Sequence, residues 1–318
     1  MTLRTTLELT TGYILKQYER HLASDKHDQA LVVAIQGPQG SGKSYLASLL
    51  EHSPKLEHLK IANLSLDDLY LPHDQLVRLA ESNPNNSLLS GRGQAGTHDL
   101  ELGINVLRAL KESNNNTRVD LPRFDKSLFQ GQGDRVPKEQ FRTIKGKVDL
   151  VLFEGWMNGF QPISPSSELD AILNLEHSDQ RRQALGIRPQ EELFLEQYSH
   201  EVLERLNRDL EPYCELWNLV DAWVELKPEQ LGYVWEWRLE QEHSMKAKNG
   251  GIGMTDEQVK TFISRYMPGY ELFSTGSRTA RRAWRRQQQQ EQREHDDRNL
   301  LTIEIGKLRQ VVNVDETP

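Results

Sequence analysis

An α/β fold, with a mostly parallel sheet flanked by helices, is what the sequence predicts, on three observations. Apolar runs at residues 31–36 (LVVAIQ) and 148–153 (VDLVLF) lack polar alternation, the pattern of strands buried on both faces. Segments of helical spacing lie between such runs, as crossovers between parallel strands require. The glycine-rich stretch GPQGSGKS follows the first run directly and opens a helical segment.

Taken in order, residues 2–23 predict an amphipathic helix, with Leu7, Leu9, Tyr13, Ile14 and Tyr18 on one face. A strand at 31–36, a helix at 43–51 and a second strand at 60–66 follow. Residues 81–96, rich in Asn, Ser and Gly, read as loop. A helix at 100–112 ends at SNNN, and a short strand is expected at 117–121. Residues 123–147 form a polar excursion whose glycines suit a mobile lid. After the strand at 148–153 come helices at 190–217 and 229–247, with a strand at 219–226 between them. Thr255 and Gln258 form a capping box. Residues 278–298 read as a solvated helix, and 300–305 with 308–314 as a closing strand pair. The whole, 1–318, is expected to be one domain, with an N-terminal helix in 1–25, the lid at 123–147 and the charged segment at 278–298.

Composition narrows the function. The chain has 39 basic and 47 acidic residues, a formal charge of −8, which argues against a general nucleic-acid or membrane-surface binder. No apolar run approaches the roughly 20 residues of a membrane span, and the N-terminus has no signal-peptide apolar block. The single cysteine, Cys214, excludes an internal disulfide and fits a reducing compartment. A cytoplasmic location is expected, with nuclear access open. The positive charge is concentrated. Residues 121–147 hold seven basic and three acidic side chains, and 278–286 hold five arginines around Trp284. The arginine segment reads as a solvated helix face, with a nucleic-acid or acidic-partner contact as the sharper alternative.

GPQGSGKS matches the phosphate-loop pattern, so Gly37, Pro38, Gln39, Gly40, Ser41, Gly42, Lys43, Ser44 and the adjoining Tyr45 are expected to hold the nucleotide. Backbone N–H groups and the helix N-terminus cradle phosphate, Lys43 bridges the β- and γ-phosphates, and Ser44 supports Mg²⁺. The loop alone does not choose a reaction. No Asn-Lys dipeptide exists to read guanine, and LSGRGQ at 89–94 is a chance near miss of a transporter signature. Two acids fall at strand ends, where open α/β sheets place their sites. Asp67, with Asp68 beside it, can take a proton from a hydroxyl or support the metal. Glu154 can orient the Mg²⁺ shell. Arg123, Lys126 and Arg135 in the basic excursion are candidate phosphate clamps.

Together, GPQGSGKS, SLDDLYLP, GRGQAGTHD, LPRFDKSLFQGQGDR, VLFEGWMNGF and MTDEQVKTFISRYMPGYE resemble the D-glycerate 3-kinase group of P-loop kinases, in order over residues 31–273. That group sits with the phosphoribulokinase, uridine kinase and pantothenate kinase relatives. The resemblance implies a P-loop kinase sheet, ATP and Mg²⁺, and transfer of the γ-phosphate to a small-molecule hydroxyl, D-glycerate first among acceptors. It implies Asp67 as a base or metal-linked acid and Glu154 as the strand-end acid. It places Arg92, His98 and Asp99 on an acceptor loop, Arg123, Lys126 and Arg135 on the lid, and Arg265, Tyr266 and Tyr270 toward the substrate. Gln94-Ala95-Gly96 stands where relatives often carry proline, a departure in the acceptor loop. The alternatives are a regulatory ATPase acting through the arginine segment, or a kinase for another hydroxylated metabolite.

Overall fold

The computed structural model describes residues 5–248, 250–251, 253–274 and 299–317. The arginine-rich 278–298 segment therefore lies outside the described residues. Helix α1 (Thr6–Leu22) starts at a capping box: Thr5 Oγ1 accepts from Glu8 N at 3.2 Å, and Thr5 N donates to the Glu8 carboxylate at 2.7 Å. Its Tyr13 and Ile14 are buried, with Leu7, Leu9 and Tyr18 packed alongside. Strand β1 (Leu31–Gln36) and helix α2 (Lys43–Glu51) coincide with the ranges read from the sequence. Next come β2 (Ile61–Ser65), α3 (His73–Glu81) and α4 (Leu100–Lys111).

Strand β3 (Arg118–Leu121) lies where a short strand is expected. It pairs with β6 (Arg142–Lys145) in a separate antiparallel ribbon instead of entering the central sheet. Between them, β4 (Phe124–Asp125) and β5 (Asp134–Arg135) form a second short ribbon. The basic excursion is thus built of two ribbons. The chain then gives β7 (Leu150–Gly155), α5 (Ser166–Leu173) and α6 (Ser178–Leu185). The helix expected over 190–217 is split: α7 (His200–Leu210) starts where Ser199 caps Val202 N, and Pro212 opens α8 (Tyr213–Trp217). Strand β8 (Ala222–Pro228), α9 (Tyr233–Lys248), α10 (Asp256–Ser264), α11 (Met267–Phe273), β9 (Leu300–Ile305) and β10 (Val311–Thr317) complete the described chain.

The central sheet has the order β10-β9-β8-β1-β7-β2, parallel throughout except for the antiparallel edge strand β10. Alternate residues of its strands feed two apolar cores. Val32, Ala34, Val151 and Phe153 face one; Leu31, Val33, Ile35, Leu150 and Leu152 face the other. Burial on both faces explains why these strands read as continuous apolar runs. Register places the site: Ile35 lies beside Glu154 and Glu154 beside Ser65, so three strands end at one level. No helix among the described residues is long and apolar enough to cross a membrane.

At the opposite end of the sheet, Lys111 Nζ donates at 2.8 Å to both Asp221 oxygens and to the Leu219 carbonyl, while Asp221 accepts Val32 N at 3.1 Å. Removing Lys111 leaves Asp221, 12% exposed, with only Val32 N and the exposed Lys26 at 3.4 Å to balance its charge. Lys111→Met should lower unfolding free energy by about 3–5 kcal/mol in a urea titration, with turnover per folded molecule unchanged. An unshifted midpoint would contradict this packing.

Candidate active site

The phosphate loop joins β1 to α2, and Gly42 caps α2 in the left-handed region at φ 92°. Gly40 is held more tightly. Its φ is +79°, and an added Cβ would lie 2.4 Å from Trp237 Cβ on α9. The Gly40 carbonyl accepts from Arg309 Nε at 2.7 Å, and the Arg309 guanidinium rests over the Trp237 ring. Gln39 is clasped from the other side: its N–H donates to Tyr270 Oη at 3.3 Å, and the Tyr270 hydroxyl donates to Gln39 Oε1. Tyr45, expected at the nucleotide, is 70% exposed one turn into α2.

Glu154, at the end of β7, gathers neighbouring strands. Its Oε1 accepts Ser44 Oγ at 3.0 Å and Ser65 Oγ at 2.7 Å, while Oε2 is buried without a hydrogen-bond partner. A hydroxyl and a carboxylate with one free oxygen beside the phosphate loop are the protein ligands that Mg²⁺ takes when phosphate and water supply the rest. The donor set fits. Among the described residues, no cluster of three or more His, Cys, Asp or Glu could hold a metal unaided. Ser65 was missed in the sequence. Its signal is strand alternation, which turns it toward Glu154 once the β2–β7 register is known.

Asp67 and Asp68 sit in a 3₁₀ turn after β2, and they differ. Asp67 Oδ2 pairs with Lys126 Nζ at 2.5 Å and Oδ1 accepts the Tyr70 hydroxyl at 3.1 Å. Burial pushes the Asp67 carboxyl up, but the Lys126 and Lys43 charges outweigh it and hold the group well below the usual range. Asp68 accepts Phe124 N at 3.0 Å, anchoring the start of the β4–β5 ribbon. Burial lifts it to about 6, against the pull of the Phe124 N–H and with the Asp67 charge adding to the rise.

The basic residues divide by what they touch. Lys126 reaches Asp67. Arg92 spends Nη1 on the carbonyls of Gly131 and Gln132, at 2.8 Å to the former, and lies over Phe124. Arg135, expected as a phosphate clamp, pairs with Asp99 at 3.0 Å and donates to the Tyr70 carbonyl at 2.8 Å, holding the ribbon on α4. Asp99 in turn caps α4 through Leu102 N. Arg123 is exposed, and its carbonyl accepts from Val136. His73 stacks on Phe129 at the ribbon tip, with 3.8 Å between centroids. The ribbon is therefore docked through Asp68, Arg92, Asp99 and His73.

The GTHD loop is internally braced. Thr97 Oγ1 donates to Gln94 O and accepts Gly93 N, and His98 is buried against Tyr70 and Tyr213. Arg265 and Tyr266 meet this loop. Arg265 O accepts from Gln94 Nε2, its guanidinium reaches Gly91 O at 3.4 Å, and a Cβ on Gly93 would press on the Tyr266 hydroxyl. Trp156 packs edge-on to Tyr266 and Tyr270 and donates to Gly93 O at 3.1 Å. The acceptor loop, α11 and the phosphate loop thus form one packed unit.

A phosphate loop at the end of a central parallel strand, flanked by strand-end carboxylates and a basic ribbon, defines a P-loop kinase. No protein-family model matches the chain. A solved D-glycerate 3-kinase from Cryptococcus neoformans is 40% identical and superposes with a TM-score of 0.82, covering 99% of this chain and 100% of that one. The uncharacterized kinase mug58 of Schizosaccharomyces pombe is 37% identical over 84% of this chain and 88% of its own length. The chloroplastic D-glycerate 3-kinase of Arabidopsis thaliana is 36% identical over 76% of this chain, which spans about half (47%) of the plant protein. The chain belongs to the D-glycerate 3-kinase family of P-loop kinases, and it is an ATP-dependent phosphotransferase.

Gly40→Ala should force strain of about 1–3 kcal/mol into the loop and weaken ATP binding about tenfold or more by calorimetry. Unchanged affinity would contradict the close approach of α9.

Proposed function

We propose that the phosphoryl acceptor is D-glycerate and that transfer occurs between the phosphate loop and the Asp67–Lys126 pair. The observation that carries this reading is the Asp67–Lys126 ion pair at 2.5 Å, set between the phosphate loop, whose Lys43 charge Asp67 feels, and the braced GTHD loop. In the reaction, residues 37–44 hold the triphosphate through backbone N–H groups, and Lys43 stabilises the charge that develops on the transferred group. Asp67 accepts the acceptor hydroxyl proton. Lys126 and Arg92 supply positive charge for the acceptor carboxylate, with His98, Arg265 and Tyr266 shaping its pocket. Ser44 and Glu154 would hold Mg²⁺, which when bound neutralises phosphate charge. Arg135, Asp68 and Asp99 act by fixing the ribbon. We place the reaction in the cytoplasm on the strength of the single cysteine; the plant relative is named chloroplastic.

The regulatory-ATPase alternative has no support among the relatives, which are named as kinases. Another hydroxylated acceptor is tested directly. ATP consumption should rise only with D-glycerate in a panel of hydroxy acids and nucleosides, giving one phosphomonoester per ATP. Hydrolysis indifferent to every acceptor would overturn the proposal. Lys43→Ala should lower kcat at least about 100-fold, with the fold intact by circular dichroism.

Lys126→Met removes the charge that holds Asp67 down, so the acid limb of kcat/KM should move to higher pH. An unmoved limb would separate Asp67 from proton transfer.

A further inference from the structure

A buried hydrogen-bond chain behind the acceptor loop has no part in the steps above. Gly96 N donates to the Tyr213 hydroxyl oxygen at 3.1 Å. The same oxygen lies 2.7 Å from His98 Nδ1. A phenol has one proton to give, and here its accepting side is taken by the backbone. Nδ1 is the acceptor that these hydrogen bonds offer the buried Tyr213 O–H, and pairing the two leaves the imidazole proton on Nε2.

We infer that Tyr213 is a positioning residue that fixes His98 in its Nε2–H tautomer, and that this neutral N–H is a hydrogen-bond donor to an oxygen of the acceptor. The inference rests on the proposed acceptor loop. Nε2 is buried and has no hydrogen-bond partner. Orphaned donors of this kind are rare in folded proteins, because leaving one unpaired carries its full desolvation cost. A ligand oxygen would remove that cost. His98 is also in the right place: its ring stacks on Tyr70 at 4.3 Å, and the Tyr70 hydroxyl reaches Asp67.

Charge supports the assignment. Burial holds His98 down to about 3, against the opposing pull of Asp67, and burial raises the Tyr213 phenol far above its ordinary value. Burial thus favours the neutral form of both groups, as a neutral donor requires. A neutral donor can orient an oxygen without competing with Lys126 for the Asp67 carboxylate. An acceptor oxygen reaches Nε2 only if the side chains that shield it give way.

The test combines nitrogen NMR of His98 with steady-state kinetics. Wild-type protein should show a protonated Nε2 and a bare Nδ1, unchanged between about pH 5 and 8. Tyr213→Phe should mix the tautomers and raise the acceptor KM about tenfold, leaving the ATP KM unmoved. His98→Gln, whose amide keeps an N–H near the Nε2 position, should retain acceptor affinity that His98→Leu loses. A bare Nε2, a His98 that titrates in that range, or equal effects of Tyr213→Phe on both substrates would overturn the inference. The spectrum needs no turnover, so it judges the tautomer even if D-glycerate is not phosphorylated, a result that would count against the proposed acceptor alone.

Discussion

One carboxylate oxygen organises the catalytic edge. Glu154 Oε1 receives hydroxyls from Ser44, at the start of α2, and from Ser65, at the end of β2. It can do so because parallel register ends β1, β7 and β2 at one level. The fold thus fixes the distance between the phosphate loop and the turn carrying Asp67 before any ligand arrives. Such preorganisation is what phosphoryl transfer demands, since positioning and electrostatics carry most of the catalysis.

A second frame sets the other substrate's walls. Trp156 lies two residues after Glu154, and its indole ties Gly93 of the acceptor loop to Tyr266 and Tyr270 at the start of and within α11. Tyr270 of that helix reaches Gln39 in the phosphate loop. Contacts of this kind join the two substrate regions into one packed unit. The β4–β5 ribbon is held mostly by polar contacts, with Phe124 buried against Tyr70 and Leu76 and Phe129 stacked on His73.

Local signals were legible in the sequence wherever the chemistry is local. The phosphate loop, its flanking strand and helix, and the Thr255–Gln258 capping box all lie within a few residues, and the structure has them where expected. Partner choice was not legible. Periodicity identified a strand at 117–121 but could not say that it pairs with β6 outside the central sheet. The helix expected over 190–217 starts only after Ser199 and starts again after Pro212, with a 3₁₀ turn at Phe194–Gln197 before it; these are cap signals that apolar spacing does not register. Among basic residues, positive charge alone could not separate Lys126, which meets Asp67, from Arg135, which is spent on Asp99. Tyr213 lay beyond reach for the same reason: 115 residues separate it from His98.

If Glu154 joins the strand ends and supports the metal, the most direct test is the Mg²⁺ dependence of turnover in Glu154→Gln at saturating ATP. The isosteric amide keeps the shape and removes the charge. The account predicts a fall of about 10–100-fold in apparent Mg²⁺ affinity, with the thermal midpoint little changed. An Mg²⁺ titration that overlays the wild-type curve would contradict it.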